Sequence, residues 1–278
     1  MIRATFVKLM VLLGATAFYA QPAQAQGFVF SAPPRGPVAK ESAVYKPIAD
    51  YLSAVLKKKV IYKHPGNWLT YQKEMQQGRY DLVFDGPHFV SWRMAAVQHE
   101  PLVKLPGKLA FTVITRKDNT SIQKVEQLRG RTVCGLAPPN LATLTLYSLF
   151  PNPARQPIVK EVKSFPEAYK QAMEGKCTAA VMRDKMFFKL DKKNPRGRII
   201  IHTKGIANQA FSAGPRFSAE DKQRIVSALL DPGAKQKMKA FHARFNKKGK
   251  PLQRATREEY HAHAKLLKDV WGFDIAAR

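Results

Sequence analysis

The sequence predicts an α/β protein of two similar lobes, in which each lobe is a mainly parallel sheet flanked by helices. Short apolar runs alternate with helix-length segments, as expected when parallel strands are joined by crossover helices. The alternation occurs in two blocks, which are separated by a β-prone run at residues 109–115. One phrase, a helix end followed by glycine, a basic residue and a strand, occurs in both blocks, at 77–83 and 174–180. Two α/β halves that face each other account for all three observations.

The first block reads strand, helix, strand, helix, strand, helix. Strands are predicted at 28–31, 60–62 and 80–85. Apolar residues at helical spacing predict a helix over 44–56, and a second helix ends near Gly78. The third strand runs into a turn, Gly86-Pro87-His88, that opens the next helix. In open α/β sheets the loops at the carboxyl ends of strands form the ligand crevice, so this turn is the first candidate for ligand contact.

The second block repeats the alternation and is followed by a helical remainder. Ser164 with Glu167 three positions on predicts a helix start. Similar signals at Ser218 and Thr256 predict two helices near the carboxyl terminus. The polar stretch 116–121 is expected to connect the lobes. The other predicted elements of this part are strands at 131–136, 158–162, 177–182 and 198–203, a helix at 141–149 and a return crossing at 208–213.

The amino-terminal segment 1–25 has the pattern of an export signal. Arg3 and Lys8 flank a short apolar run, and Ala23-Gln24-Ala25 is a typical cleavage site. The run is too short to span a bilayer, which favours cleavage over the alternative of an uncleaved anchor. We therefore expect a periplasmic protein without a membrane span after cleavage.

The chain is strongly basic, with 47 Lys and Arg against 20 Asp and Glu and a formal net charge of +27. Such an excess attracts anions and acidic surfaces but does not specify a fold. The export signal argues against nucleic acid as the partner, as does the lack of zinc-finger spacing or an RNP-type aromatic motif. The expected ligand is therefore a small anion.

Two cysteines, Cys134 and Cys177, are present. An even pair in an oxidising compartment suggests one disulfide; free thiols or a soft metal or metalloid site are the alternatives. No cofactor or metal site is expected from the sequence. No nucleophile elbow, P-loop or H-E-x-x-H motif is found, so the chain is not predicted to be an enzyme.

Four segments carry a resemblance to a known family. They are YKPIADYL at 45–52, QGRYDLVFDGP at 77–87, LRGRTV at 128–133 and GKCTAAV at 175–181. In this order they resemble type II periplasmic substrate-binding proteins of ABC transporters, specifically the phosphate, phosphite and phosphonate group. The resemblance implies two lobes joined by two crossing strands, which close on a ligand by hinge motion. It places lobe one at 26–113 and 208–278, and lobe two at 114–207.

The resemblance also implies ligand contacts from both lobes. Those carried over to lobe one are Pro34, Arg35, Asn67, Trp68, Asp85, Gly86, Pro87 and His88. Those carried over to lobe two are Asn140, Leu141, Ala142, Thr143, Arg183 and Asp184. Five further histidines are expected at the surface or on helix faces: His99, His202, His242, His261 and His263.

The sequence departs from the family at one loop. Phosphonate binders typically have a Ser-Thr-Ser-Gly-like loop at the start of the helix after 131–136, whereas this chain has Ala137-Pro138-Pro139-Asn140. The prolines remove two N–H donors, although a helix amino terminus still favours an anion. Arg183 suits an anionic group, while Asp184 would repel it or bind an amine.

The expected function is capture of a small anionic or zwitterionic ligand, such as a phosphonate-like or phosphate-like oxyanion or an organic acid, for an ABC importer. The expected partners are that ligand and an ABC permease, and the protein is expected to be a monomer. The alternatives are a sensory binding protein that feeds a histidine kinase, a secreted enzyme, and a basic interaction protein with the same fold.

Overall fold

The computed structural model describes residues 27–268, 270 and 273. The predicted signal peptide lies outside the described residues. In chain order the strands are β1 (Phe28–Ser31), β2 (Val60–Tyr62), β3 (Leu82–Asp85), β4 (Glu100–Lys104), β5 (Lys108–Leu109), β6 (Phe111–Arg116), β7 (Thr132–Gly135), β8 (Ile158–Glu161), β9 (Ala179–Arg183), β10 (Gly197–His202), β11 (Ile206–Ala207), β12 (Ala210–Ala213) and β13 (Gln253–Arg254).

The helices pack on the faces of these strands. They are α1 (Val38–Leu56), α2 (Trp68–Gln76), α3 (Pro87–Ala96), α4 (Leu141–Ser148), α5 (Phe165–Met173), α6 (Asp184–Asp191), α7 (Ala219–Leu230) and α8 (Lys239–Phe245). Short 3-10 helices lie at Val125–Leu128, Pro153–Arg155, Pro232–Lys235 and Ala264–Leu267. In the described part of the chain, no helix combines the length and apolar character needed to cross a membrane.

Two sheets organise the chain. The first has six strands in the order β13-β4-β12-β3-β1-β2, and the second has five in the order β10-β6-β9-β7-β8. Each contains a parallel trio, β2-β1-β3 in the first and β8-β7-β9 in the second. An antiparallel strand, β12 or β6, lies beside the trio in each case. The predicted α/β class with two sheets flanked by helices is therefore confirmed, while each sheet is mixed, since antiparallel strands extend its parallel trio.

The sheets are joined by two segments that pair with each other. The paired strands are β5 and β11, with Leu109 opposite Ile206 and Lys108 opposite Ala207. The stretch 116–121, predicted to connect the lobes, is instead the turn after β6 within the second sheet. The prediction went wrong because this turn is as polar as a linker, while the true connections are short and β-prone.

The lobe boundaries themselves stay a prediction. Strands β1–β4, β12 and β13 form the first sheet, and β6–β10 form the second. Because β6 begins at Phe111 and pairs with β9 from its first residue, the sheets divide the chain before 111. The predicted boundary lies three residues later.

The repeated phrase corresponds to two similar units. In the first, Gly78 lies two residues beyond the end of α2 and leads into β3; in the second, Gly175 lies two residues beyond the end of α5 and leads into β9. Gly78 and Gly175 have φ angles of 63° and 74°, in the left-handed region that glycine adopts without steric cost. Each unit delivers its strand to the same relative place in its own sheet, next to the antiparallel crossing strand.

Cys134 and Cys177 form a disulfide, which confirms the predicted pairing. Cys134 lies in β7, and Cys177 precedes the neighbouring strand β9. Both residues are buried in the cluster that α5 and α6 form with this sheet. The disulfide therefore closes the second repeated unit on the core of its own lobe.

The carboxyl-terminal helix predicted from Thr256 is not formed. Only half of the expected capping box is present, with the Thr256 N–H donating to Glu259 at 3.1 Å. Lys104 pairs with Glu259, and the buried Tyr260 hydroxyl donates to the Asn208 carbonyl of the crossing segment at 2.7 Å. These contacts with β4 and the crossing segment replace the continuous helix, and within the described residues a single turn, Ala264–Leu267, follows.

Candidate functional site

The carboxyl ends of the parallel strands in both sheets border a cavity of about 590 Å³. This volume is within the range of roughly 300–1,000 Å³ that is common for small-molecule sites. Both crossing segments contribute to the wall through Leu109 and Gln209. The cavity therefore lies where the sheet topology predicted a ligand crevice.

Eight of the predicted contact residues line this cavity. They are Pro34, Arg35, Trp68, Gly86, His88, Asn140, Leu141 and Arg183. They come from both sheets, as a ligand held between lobes would require. Their contact with a ligand stays a prediction.

Asp85 does not line the cavity, although it ends the central strand. Its carboxylate is fully buried, accepts a hydrogen bond from Arg93 Nε at 2.8 Å and is bonded by the Tyr71 hydroxyl. Arg93 Nη2 also donates to the Tyr71 oxygen at 3.0 Å. Burial raises the pKa of the Tyr71 hydroxyl well above its usual value, so this group stays protonated. Asp85 thus anchors α3 to β3 and is not positioned to contact a ligand in the cavity.

Asn67, Thr143 and Asp184 also lie outside the lining, because their side chains serve the local backbone. Asn67 caps α2 by accepting from the Thr70 N–H at 2.8 Å. The buried Thr143 hydroxyl donates to the Leu136 carbonyl at 2.5 Å. Asp184 accepts from the Lys185 N–H at the start of α6. Local capping satisfies orphan N–H groups at helix starts, and this use competes with ligand binding.

Pro87 and Ala142 are the last two predicted contacts outside the lining. Pro87 is the first residue of α3 and Ala142 the second residue of α4, and both are buried. Ala142 packs in a hydrophobic core cluster of the second sheet, so proximity in sequence to Asn140 does not place it in the cavity.

The cavity lining is cationic. Arg35, Lys163, Arg183 and Arg244 contribute to it, and no aspartate or glutamate is among the described residues that do so. Arg244 is paired with the buried Glu41 at 2.7 Å, which offsets part of its charge. Arg35 Nη1 donates to the Tyr45 hydroxyl at 3.3 Å. A site with this balance of charges attracts an anion and repels a cation.

Arg183 is the cation with an unused donor. It is the last residue of β9, where it pairs with Phe111 of β6, and it is the N-cap residue of α6. Its Nε is buried and has no hydrogen-bond partner in the described part of the protein. Burial lowers the pKa of the guanidinium, while Asp184 acts in the opposite sense. A ligand oxyanion would supply the missing acceptor.

His88 links the two walls of the cavity. Its Nε2 lies 3.1 Å from the Pro139 carbonyl oxygen in the opposite lobe, so Nε2 carries the proton and donates. Burial lowers the pKa of this imidazole to about 3, and the ring is therefore neutral near pH 7. Its Nδ1 is buried, has no hydrogen-bond partner among the residues that the structure describes, and is left as an acceptor. An O–H or N–H group of a ligand would donate a hydrogen bond to this nitrogen.

Gly86 is required beside this ring. A Cβ at position 86 would lie 2.8 Å from His88 Cε1 and 3.0 Å from Nδ1. Its φ angle is −71°, so space and not backbone conformation demands the glycine. The Gly86-Pro87-His88 turn is therefore built to seat the imidazole against the end of β3.

Four helix amino termini border the cavity. Gly86 and His88 belong to the start of α3, Asn140 to α4, Phe165 to α5 and Arg183 to α6. Each amino terminus carries a partial positive charge and N–H groups without intrahelical acceptors. Their convergence adds to the attraction for an anion.

Sequence reasoning missed twelve residues of the lining. They are Phe89, Leu109, Phe111, Leu136, Ala137, Pro139, Val162, Lys163, Phe165, Gln209, Arg244 and Phe245. Lys163 could have been found, because it follows a predicted strand in the parallel trio. Arg244 and Phe245 end α8 and carry no local signal, since only the packing of α8 on α1 brings them to the cavity.

The arrangement can bind an anion through fixed cations, an imidazole and helix starts. Within the described residues, no group of three or more His, Cys, Asp or Glu side chains is placed to hold a metal ion. The lining includes no serine, threonine or cysteine among those residues. Charge complementarity and hydrogen bonding are the chemistry that this lining offers.

A family model matches residues 30–260. It describes the periplasmic substrate-binding proteins of phosphonate ABC transporters. Among curated protein sequences, none matches this chain.

Solved structures with the same fold are distant in sequence. XAC2383 from Xanthomonas citri bound to ATP is 14% identical with a TM-score of 0.66, over 87% of this chain and 96% of that one. PhnD1 from Prochlorococcus marinus in complex with methylphosphonate is 14% identical with a TM-score of 0.62, over 87% and 97%. A binding protein component of a Pseudomonas aeruginosa ABC phosphonate transporter is 11% identical with a TM-score of 0.55, over 82% and 81%. These likenesses confirm the type II periplasmic binding protein fold.

Proposed function

Since this chain belongs to the family of periplasmic substrate-binding proteins of phosphonate ABC transporters, we propose that its cavity captures a phosphorus oxyanion for import. The family consists of binding proteins and not of enzymes. Its members act in the periplasm, which agrees with the export signal expected from the sequence. The ligand would be passed to an ABC permease in the membrane.

The observation that carries this proposal is the charge of the cavity. Four cationic side chains and four helix amino termini face a space that no described carboxylate lines. The same balance would disfavour a cationic solute or the amine of a zwitterion. The methylphosphonate of the Prochlorococcus protein and the ATP of the Xanthomonas protein are both phosphorus oxyanions, the ligand class that this lining suits.

The proposed capture uses both lobes. Arg35 and His88 lie on the side of the first sheet, and Lys163 and Arg183 lie on the side of the second. A ligand that contacts both walls favours the closed arrangement over an open one by its differential affinity. The paired strands β5 and β11 are the segments at which we propose that the lobes rotate.

Isothermal titration calorimetry of the purified protein tests the function. We expect saturable binding of methylphosphonate or inorganic phosphate and no binding of free arginine, which carries a net positive charge. X-ray scattering in the same buffers should show a smaller radius of gyration when the binding anion is present. Binding of arginine with no binding of any phosphorus oxyanion would overturn the proposal.

The partner can be tested separately. We expect the protein to stimulate ATP hydrolysis by its own permease and ATPase, reconstituted together, only when the binding anion is present. Stimulation of a sensor kinase ectodomain with no effect on a permease would instead assign the protein to signalling.

A further inference from the structure

The cavity is larger than a small oxyanion needs. A phosphonate of about five non-hydrogen atoms fills roughly 150 Å³, at the 30 Å³ of liquid volume that a water-sized group takes. The cavity measures about 590 Å³. About three quarters of the space is then left for another part of the ligand.

The cavity is also long. Its lining follows the edge of the first sheet from Gln209 before β12, past Gly86 after β3 and Arg35 after β1, to Trp68 beyond β2. These strands lie in the order β12-β3-β1-β2. Three strand spacings separate the first from the last, which is about 14 Å. A ligand that reached both ends would be elongated.

Three buried side-chain atoms of the described lining have no hydrogen-bond partner, and two of them lie at the hinge end; the third is His88 Nδ1. Arg183 is paired with Phe111 across β9 and β6, next to the crossing segment. Gln209 directly precedes β12, whose first residue, Ala210, lies opposite Asp85 at the end of β3. The Arg183 Nε and the Gln209 side-chain oxygen are both buried without a partner in the described residues. The Arg183 Nε therefore needs an acceptor, and the Gln209 oxygen needs a donor. An acidic oxyanion such as a phosphonate with one P–OH would supply both.

The opposite end is aromatic. Trp68 is 39% exposed although it lines the cavity, and its ring is stacked on that of Phe89 with centroids 6.2 Å apart. The Phe89 ring contacts the His88 ring at 4.1 Å between centroids. When a planar ligand group covers a large exposed indole beside a cavity, the contact contributes favourable binding free energy.

The facing wall of the second lobe is apolar at the loop before α4. Leu136, Ala137, Pro139 and Leu141 form this part of the lining. Residues 136–140 of that loop include no hydroxyl side chain, and the hydroxyl of Thr143 in the first turn of α4 donates to the Leu136 carbonyl. This wall therefore offers few polar contacts to a second charged group and suits an organic one.

On these grounds, and resting on the proposed function, we infer that the ligand is a phosphonate or phosphate monoester with a planar aromatic or heterocyclic group. Its oxyanion binds Arg183 at the hinge end, and its ring lies against Trp68 and Phe89 at the outer end. Trp68 is then the residue that determines specificity for the organic group, while the cations determine specificity for the anion.

Two probes with the same anionic group separate these roles. Phenylphosphonate carries a ring and methylphosphonate does not. We expect calorimetry to give phenylphosphonate at least about tenfold higher affinity than methylphosphonate. Trp68→Ala should lower phenylphosphonate affinity by about ten- to a hundredfold, the range of one ring stacked on an aromatic side chain. The same variant should leave methylphosphonate affinity within about threefold.

The matched control is Phe188→Ala. Phe188 is also a large exposed aromatic side chain, 54% exposed on α6, and it is not part of the cavity lining. This variant should change neither affinity. Because Trp68→Ala retains methylphosphonate binding if the inference is correct, that binding also shows that the variant is folded.

The outcomes distinguish the inference from the proposed function. Equal affinity for the two probes, or an equal loss of both in Trp68→Ala, would overturn the inference and leave anion capture standing. Binding of phosphate or methylphosphonate with exclusion of phenylphosphonate would do the same. Failure of every phosphorus oxyanion to bind would overturn the proposed function itself.

Discussion

A buried charge needs a partner, and Asp85 and Arg183 meet this need differently. The Asp85 carboxylate is bonded by Arg93 and Tyr71 in the core of the first lobe. Arg183 has no partner for its buried Nε in the described residues, and it lines the cavity. Both follow a strand of a parallel trio, so their positions in sequence are alike. The protein itself satisfies one group, and the other remains available to a ligand.

Replacement of Arg183 by methionine should weaken binding of the oxyanion. A hydrogen bond to a charged group contributes about 1.5–3 kcal/mol, which is roughly a 10- to 150-fold loss of affinity. The free energy of unfolding without ligand should not fall, since a buried unpaired donor is removed. Calorimetry with methylphosphonate and urea denaturation measure the two effects. Lys185→Met, an exposed neighbour on α6, is the control, and an equal loss in both variants would contradict the assigned role.

Two buried histidines predict a stability that depends on pH. Burial lowers the pKa of His88 and of His99 to about 3, whereas an unfolded histidine titrates near 6.5. The prediction that His99 lies at the surface was wrong, because it bonds the Tyr80 carbonyl at 3.0 Å and contacts Ser212 inside the first lobe. Both rings stay neutral in the folded protein at neutral pH.

Below pH 6.5 the unfolded chain gains protons that the folded protein does not bind, so stability falls as the pH is lowered. Each histidine should remove about 1.4 kcal/mol of unfolding free energy per pH unit between about pH 6 and 4. Urea denaturation at a series of pH values measures the slope. The double variant His88→Gln/His99→Gln should show a shallower slope over this range, and an unchanged slope would contradict the prediction.

At the scale of elements, local signals decided where most helices begin. Ser164 caps α5 by accepting from the Glu167 N–H, and Ser218 with Asp221 forms the full capping box of α7. In the carboxyl-terminal segment, the capping signal at Thr256 does not produce a helix. Its predicted helix gives way to contacts with the crossing segment and with α3, where the Ala264 N–H donates to the Ser91 hydroxyl.

The disulfide should be a main stabilising element of the second lobe. It closes a loop over a sequence separation of 43 residues, for which the chain-entropy estimate is about 4 kcal/mol. Cys134→Ala/Cys177→Ala should therefore lower the free energy of unfolding by up to that amount, measured by urea denaturation. The wild-type protein with reductant should lose stability similarly. A loss below about 1 kcal/mol in both experiments would contradict the prediction.

At the scale of the whole molecule, the positive charge and the cavity act on the same ligand. The chain carries a formal net charge of +27, and the cavity lining holds cations without described carboxylates. A field of one sign raises the rate at which oppositely charged ligands arrive, and salt screens it. Short-range hydrogen bonds inside the cavity are screened much less.

The association rate constant for an anionic ligand should therefore fall with ionic strength, while the dissociation rate constant changes little. Between about 10 and 150 mM salt the Debye length falls from about 30 to about 8 Å, and we expect a several-fold slower association. Stopped-flow measurements with methylphosphonate give both constants. An association rate that is independent of salt would show that the basic surface does not guide the ligand.

The sequence by itself determined the class of fold and the edge of the sheets at which to look. Strands 28–31 and 60–62 were predicted at their observed bounds, because β-prone runs bounded by breakers need no distant partner to be recognised. The repeated helix-glycine-strand units predicted two alike lobes for the same reason. The turn after the strand predicted at 80–85 then indicated Gly86 and His88, and the family resemblance added Arg35 and Arg183; all four line the cavity.

Only the tertiary structure decided which side chains face the cavity and which are occupied elsewhere. Asp85 does not line the cavity, because its carboxylate bonds Arg93 and Tyr71. Thr143 does not line it either, because its hydroxyl donates to a backbone carbonyl. Arg244 and Phe245 joined it because α8 packs against α1, a contact between segments about two hundred residues apart. Local pattern specifies the periodicity and ends of an element, whereas the direction of a polar side chain follows from the partners that folding brings within reach.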